Sequence, residues 1–347
     1  MIYVRQRLTC LVALLLGSLS ARWLLICLAL AAPVSACSST PADATSELEP
    51  PALPVCENLY SDLQDGDVEA VGNVEVTHRF RLASDICWHY VEAGHGPTLA
   101  FVHGFPESWW SWHRQIEALA SDFHVIAIDM KAYGQTSKPQ SDYRAVQVAE
   151  ETFSLLGSLS GGKIHVVSHD WGSIISERLA CAHADRIGRF VRMQAPLMIV
   201  DLANAPQLEL FKDQAFARSL MSDPETLMQL AYGRLTLEPL PADVLARIAD
   251  EFRYPGIADA VPQYFRDLEL NPTQEQVDER RQCFASMTFP VLLLQADTDR
   301  NQPATYFDGA TDLFPDAELR WVTASGHFSE LEQPEQVSQA IGEFVSR

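Results

Sequence analysis

The sequence predicts an α/β chain: a mostly parallel, doubly wound sheet interrupted by a helical insertion. Three observations predict it. From residue 73 onward, short apolar runs of strand length alternate with stretches of helical spacing, the pattern of a parallel sheet covered on both faces. Across residues 197–284 that alternation stops, and the pattern is helical with no apolar strand run. It then resumes from 285 to the last residue.

Residues 73–82 and 86–93 read as two strands joined by a turn. TLAFV (98–102) is a short buried strand ending in HGFP (103–106). A helix is expected over 107–120, a strand over 123–129 and a helix over 147–159. Residues 164–168 form the next strand, 172–182 a helix and 189–194 a strand. After the insertion come a strand at 291–295, a helix at 303–313, a strand at 318–323 and a closing helix at 334–346. Residues 73–196 and 285–347 therefore make one core, and 197–284 a helical cap over the carboxyl ends of its strands.

The first 37 residues read as a targeting segment. Arg5 and Arg7 precede an apolar stretch, Arg22 interrupts it, and small residues lead to Cys37. Val34–Ser35–Ala36–Cys37 resembles a bacterial lipobox, which implies lipidation at Cys37 and an exported, membrane-anchored chain at the periplasmic side or cell surface. The alternative is a retained membrane helix. Neither apolar stretch alone reaches the ~20 residues of a span, and a joined span must hold Arg22 at a cost of about 3 kcal/mol. Residues 38–72, rich in Ser, Thr, Pro, Ala and acids, read as a disordered tether.

Lysine and arginine number 25 against 46 acids, a net charge of −21. Such a balance repels phosphate backbones and argues against nucleic-acid binding. The seven cysteines show no CxxC pair and no metal-ligand spacing. Cys56 falls in the tether, and Cys87, Cys181 and Cys283 read as buried thiols, so no disulfide framework follows. No cofactor is implied, and oligomeric state is open.

Ligands of an open α/β sheet bind beyond the carboxyl ends of its strands. SHDWG (168–172), ADTD (296–299) and GHF (326–328) each follow a strand there, as HGFP does. In chain order they supply a nucleophile, an acid and a histidine: Asp170, Asp299 and His327. Asp297 is a competing acid, and Asp170 has a plainer reading as a helix cap. His103 and His169 read as structural.

Four motifs together, HGFPESWWSW (103–112), YGQTSKP (133–139), SHDWGS (168–173) and GHFSELEQP (326–334), resemble the α/β-hydrolase fold family in its epoxide hydrolase and haloalkane dehalogenase branch. The resemblance runs from about residue 73 to the end. It implies an aspartate nucleophile at Asp170 and an alkyl-ester intermediate. Water activated by His327 hydrolyses that ester while Asp299 orients the imidazole. A carboxylate, unlike a serine, is already ionised near neutral pH. The backbone amides of Phe105 and Trp171 would form the oxyanion hole, worth about 3 kcal/mol each. An epoxide opened to a diol is the first expectation for the small-molecule substrate. A haloalkane or haloacid is the alternative. A tethered, non-catalytic binding protein on the same scaffold is the reading of another class.

The match departs from the family in the cap. Epoxide opening needs an acid at the ring oxygen, commonly a tyrosine just before an arginine, and this chain reads QYFR (263–266). Phe265 holds the expected place and Tyr264 lies one step, about 100°, away. Tyr264 serves only if the helix is shifted. Lys212 aligns with the second donor, and Tyr232 and Tyr254 are spares. Gln194 stands where some secreted relatives carry a catalytic glutamate.

Overall fold

The structure is a computed structural model that describes residues 52–347, apart from 199 and 269. The leader, Cys37 and most of the tether lie outside the described residues. Among those described, no helix is long and apolar enough to cross a membrane.

Nine strands form one sheet: β1 (Val68–Val71), β2 (Val74–Ala83), β3 (Ile86–Ala93), β4 (Thr98–Val102), β5 (His124–Ile128), β6 (Ile164–His169), β7 (Ile187–Met193), β8 (Val291–Ala296) and β9 (Ala317–Val322). Their spatial order is β1-β2-β3-β5-β4-β6-β7-β8-β9. β1, β2 and β3 pair antiparallel, and β3 meets β5 antiparallel; from β5 onward every pairing is parallel.

The central strands are continuous apolar runs because both faces are covered. In β4, Leu99 and Phe101 point into one core, while Ala100 and Val102 point into the other. On the first face lie α1 (His113–Leu119), entered through a 3-10 turn at Trp109–Trp112, and the closing helix. The second face carries α2 (Ala145–Leu156) and α3 (Trp171–Ala182).

Between β7 and β8 the chain leaves the sheet, as expected, and among the described residues builds seven helices. These are α4 (Gln207–Lys212), α5 (Gln214–Met221), α6 (Pro224–Leu235), α7 (Ala242–Glu251), α8 (Ile257–Ala260), α9 (Pro262–Arg266) and α10 (Gln274–Ser286). Short helices α11 (Ser329–Glu332) and α12 (Pro334–Val345) end the chain.

Three expectations are corrected. Order begins before residue 73: Val55 bridges to Arg81, and β1 adds an edge strand at 68–71. The helix expected at 303–313 is two 3-10 turns, Ala304–Phe307 and Ala310–Leu313, separated at Gly309, whose φ of +71° breaks the helix. The four cysteines are not thiols. Cys56 bonds Cys87 and Cys181 bonds Cys283, with Cα separations of 5.8 and 5.4 Å. The second cystine closes a separation of 102 residues and ties α10, the cap's return helix, to α3. Beside it, buried Glu177 accepts both Arg192 (3.2 Å) and Arg280 (2.7 Å), so the same joint is held electrostatically.

Candidate active site

β6 ends at His169, and α3 begins at Trp171. The corner between them is Asp170, with φ +48° and ψ −118°. A non-glycine residue there stores roughly 1–3 kcal/mol of strain, which the packing around it must offset. That packing demands small neighbours. A Cβ on Gly104 would lie 2.5 Å from the Asp170 Cβ, and one on Gly172 would lie 2.4 Å from the carbonyl oxygens of Val102 and His103. The corner thus aims the carboxylate out of the sheet, and it keeps 22 % side-chain exposure while most of its surroundings are buried.

Two groups converge on it, and a third stands behind one of them. The Phe105 amide donates to Asp170 Oδ1 at 2.9 Å. His327 Nε2 lies 3.5 Å from Oδ2. The opposite ring nitrogen, Nδ1, meets Asp299 Oδ2 at 2.8 Å. Asp299 Oδ1 accepts from the Asn301 amide at 2.7 Å, which fixes that carboxylate. Asp297 accepts instead from the amides of Ala324 and Ser325, so it shapes the turn before His327 and is not its partner. Trp171, the other expected oxyanion donor, is the first residue of α3, where an amide has no partner within its own helix.

Burial alone would lower the His327 pKa, but Asp299 and then Asp170 lift it to about 10. Burial would raise Asp170, yet His327 and the Phe105 amide hold it below the usual carboxylate value. At neutral pH the resting site is therefore an imidazolium between two carboxylates.

His103 and His169 are structural, as their motifs suggest. His103 Nδ1 donates to its neighbour Gly104 O (2.8 Å), and Nε2 accepts from the Met130 amide (3.0 Å). His169 meets Glu107 Oε2 through Nδ1 and the His327 carbonyl through Nε2, each at 2.9 Å. It thereby anchors the His327 loop to the HGFP turn. Gln194 is buried and reaches Leu294 O, supplying no charge.

Sequence reasoning missed Glu107 and Glu330, fully buried beside His169. With His169 they offer three ligand atoms within 4.8 Å of one another. A cation there would have to displace the His169–Glu107 bond, because the other His169 nitrogen is also engaged. The cluster reads instead as two carboxyls sharing one proton. Burial and then Glu107 push Glu330 well above the ordinary carboxyl range. Glu107, which burial would also raise, is held down to about 2 by His169. A raised carboxyl pKa favours the fold below its unfolded value near 4.5 and loses that contribution as pH rises toward the folded value. Glu330→Gln, which does not titrate, should leave stability unchanged near pH 4 and add about 1–2 kcal/mol at pH 8. Thermal melts of both proteins across that range check this; parallel curves would refute the shared proton.

The cap closes a cavity of about 320 Å³ over Asp170 and His327. Its wall is almost wholly apolar, with Phe105, Trp171, Phe211 and Phe265 facing one another. Phe265 packs edge-on against Phe105 and Trp171, with ring centroids 5.1 and 5.3 Å apart. The two expected cap donors are corrected here. Tyr264 does not line the cavity: its hydroxyl donates to Lys131 O at 2.8 Å, on the far side of α9. No helical shift compensates for the QYFR order. Lys212 turns away as well, with Nζ donating to Leu268 O at 2.9 Å. Tyr232 is buried against Phe328 and outside the cavity wall, and Tyr254 packs near Tyr60. Among the described residues, no tyrosine lines the cavity.

The sequence pattern of the alpha/beta hydrolase fold matches residues 97–334. Epoxide hydrolase 2 of Caenorhabditis elegans is 26% identical over 289 residues, covering 78% of this chain and 80% of that protein. Bifunctional epoxide hydrolase 2 of Rattus norvegicus is 40% identical over 113 residues, 32% of this chain but only 20% of that longer protein. Among solved structures, an epoxide hydrolase from Vigna radiata superposes with a TM-score of 0.67 at 25% identity, covering 78% of this chain and 98% of its own. A haloalkane dehalogenase from Agrobacterium tumefaciens gives 0.71 at 18% identity, covering 80% and 98%, a likeness of fold.

Proposed function

This chain belongs to the alpha/beta hydrolase fold family and is an epoxide-hydrolase-like enzyme; from that premise we propose that it opens an epoxide through an ester on Asp170. Asp170 Oδ2 attacks the less hindered ring carbon, the carbon–oxygen bond breaks, and an alkoxide forms. Oδ1, already held by the Phe105 amide, becomes the ester carbonyl. Once Asp170 is esterified its charge is gone, and one of the two carboxylates that kept His327 protonated is lost. The proton that His327 then sheds matches the one that the alkoxide needs, carried by water because no tyrosine lines the wall among the described residues. Neutral His327 takes a proton from a second water as it attacks Asp170 Cγ. The tetrahedral oxyanion rests on the Phe105 and Trp171 amides. Its collapse expels the ester oxygen, which takes the proton held by His327 and leaves as the diol. The acid proton left on Asp170 returns to the imidazole, so the carboxylate and the Asp299-stabilised imidazolium are both restored.

The single observation carrying this reading is Asp170 gripped at one oxygen by an amide and faced at the other by the Asp299-bound His327. Its test is a single turnover in heavy-oxygen water. The first diol should carry an unlabelled oxygen from Asp170, with label appearing only in later turnovers. Solvent label in the first product would remove the ester route.

The cap favours a second reading. A halide leaves without a proton, so a cavity with Trp171 and no tyrosine suits a dehalogenase, and halide release from short haloalkanes decides between them. Reaction at an exported, lipid-anchored position remains part of the proposal, supported by two cystines of the kind that persist in oxidising compartments.

A further inference from the structure

Among the described residues, the cavity wall holds one permanent cation. Apart from Asp170 and His327, its polar members are Arg234, Gln207, Asn301 and Gln302; every other lining residue is apolar. Arg234 sits at the end of α6, partly buried, and its partners among the described residues are neutral, with no acid among them. That is notable in a chain with 46 acids against 25 bases. Its guanidinium is nevertheless held in place. Nη1 donates to Gln207 Oε1 at 2.5 Å and Nη2 to Asn204 O at 2.7 Å. Gln207 Nε2 in turn donates to Asn301 Oδ1 at 3.2 Å. With its oxygen engaged, Asn301 has its amide nitrogen left to give. Gln302, 6% exposed, makes no side-chain hydrogen bond among the described residues.

A guanidinium carries five N–H donors, and two are used here. The remaining guanidinium donors share the lining of an otherwise oily cavity with the free Asn301 amide nitrogen and with the Gln302 amide, which can turn its own N–H donors to an anion. Asp170 is not among the partners of Arg234, so patch and nucleophile occupy separate places on one wall.

We propose that Arg234, with Asn301 and Gln302, binds the carboxylate of an amphipathic acid whose alkyl chain fills the cavity and presents its electrophilic carbon to Asp170. The inference rests on the hydrolase reading for its chemistry but not for its binding. A monocarboxylate fits better than a phosphate: there is one cation, the two amides contribute no charge, and the wall beyond them is apolar. The net charge of −21 does not forbid an anion, because charges beyond the Debye length of ~8 Å at physiological salt are largely screened.

Titration calorimetry of the intact protein with octanoate and with octanamide tests binding apart from chemistry. The two probes share chain length and shape and differ in charge. Octanoate should bind at least tenfold more tightly, and in Arg234→Met the acid-to-amide ratio should collapse toward one. Arg234→Lys, which keeps the charge but not the planar fork, should retain part of the preference. Thermal melts of each variant report folding, and the wild-type comparison needs no variant at all. Equal binding of the two probes, or a preference that survives in Arg234→Met, overturns the proposal. Turnover of terminal epoxides of the same acid and amide separates this inference from the hydrolase reading. Hydrolysis without acid preference sinks the Arg234 site alone. Acid preference in binding with neither epoxide hydrolysed sinks the epoxide reading alone.

Discussion

Asp170→Asn is expected to fold and to lose turnover by at least about 10⁴-fold, the scale on which removing a nucleophile acts. Asparagine is nearly isosteric with aspartate, so the close approach of Gly104 is undisturbed. Its carbonyl can still accept the Phe105 amide that Asp170 Oδ1 accepts now. Asparagine also tolerates the positive φ at this corner better than most residues. What it lacks is an ionised oxygen to attack carbon. The loss should therefore be chemical, visible in kcat with an unchanged circular-dichroism spectrum. A linked pH effect is expected as well. Asp170 is one of the groups that raise His327 to about 10, so the imidazole of the variant should titrate lower by NMR. Substantial residual turnover in a folded variant would return Asp170 to the plainer role of a corner former.

Much of this site was legible in the sequence because its parts sit where strands end. β4, β6 and β8 are unbroken apolar runs, so their carboxyl ends, and with them HGFP, Asp170 and Asp299, could be placed without coordinates. The structure also separates Asp299 from Asp297 by giving them different partners, imidazole and turn amides. What stayed hidden depends on three-dimensional phase or pairing. Cys181 and Cys283 lie on helices 102 residues apart, and spacing carries no trace of their bond. β1 reads VEAV, an edge strand too short and too exposed for an apolar signal. α9 has five residues, too few for periodicity to say whether Tyr264 or Phe265 faces the cavity. Glu107 and Glu330 had a weak signal: each is an acid that directly follows buried residues of a site motif, Pro106 and Ser329. Arg234 had none, since a cap arginine ordinarily reads as solvated surface.

The second large effect concerns the step after the ester forms. His327→Gln should still let Asp170 attack, because the Phe105 amide holds Asp170 without the imidazole and the apolar lining residues are unchanged. It should lower steady-state turnover by about 10³-fold, since no base remains to activate water. The ester then accumulates, and intact-protein mass spectrometry should find one adduct per chain. The adduct's mass also identifies the leaving group. Ring opening retains every atom of the epoxide, so the protein gains the full substrate mass. Displacement from a haloalkane leaves the protein heavier by the substrate less the hydrogen halide. Rates of adduct formation test the proton argument too. If the proton shed by His327 serves the alkoxide, alkylation by an epoxide should slow in this variant, whereas alkylation by a haloalkane should not. A variant that shows no adduct with either substrate class, beside a wild-type protein that turns one of them over, would rule out an aspartyl ester on the pathway.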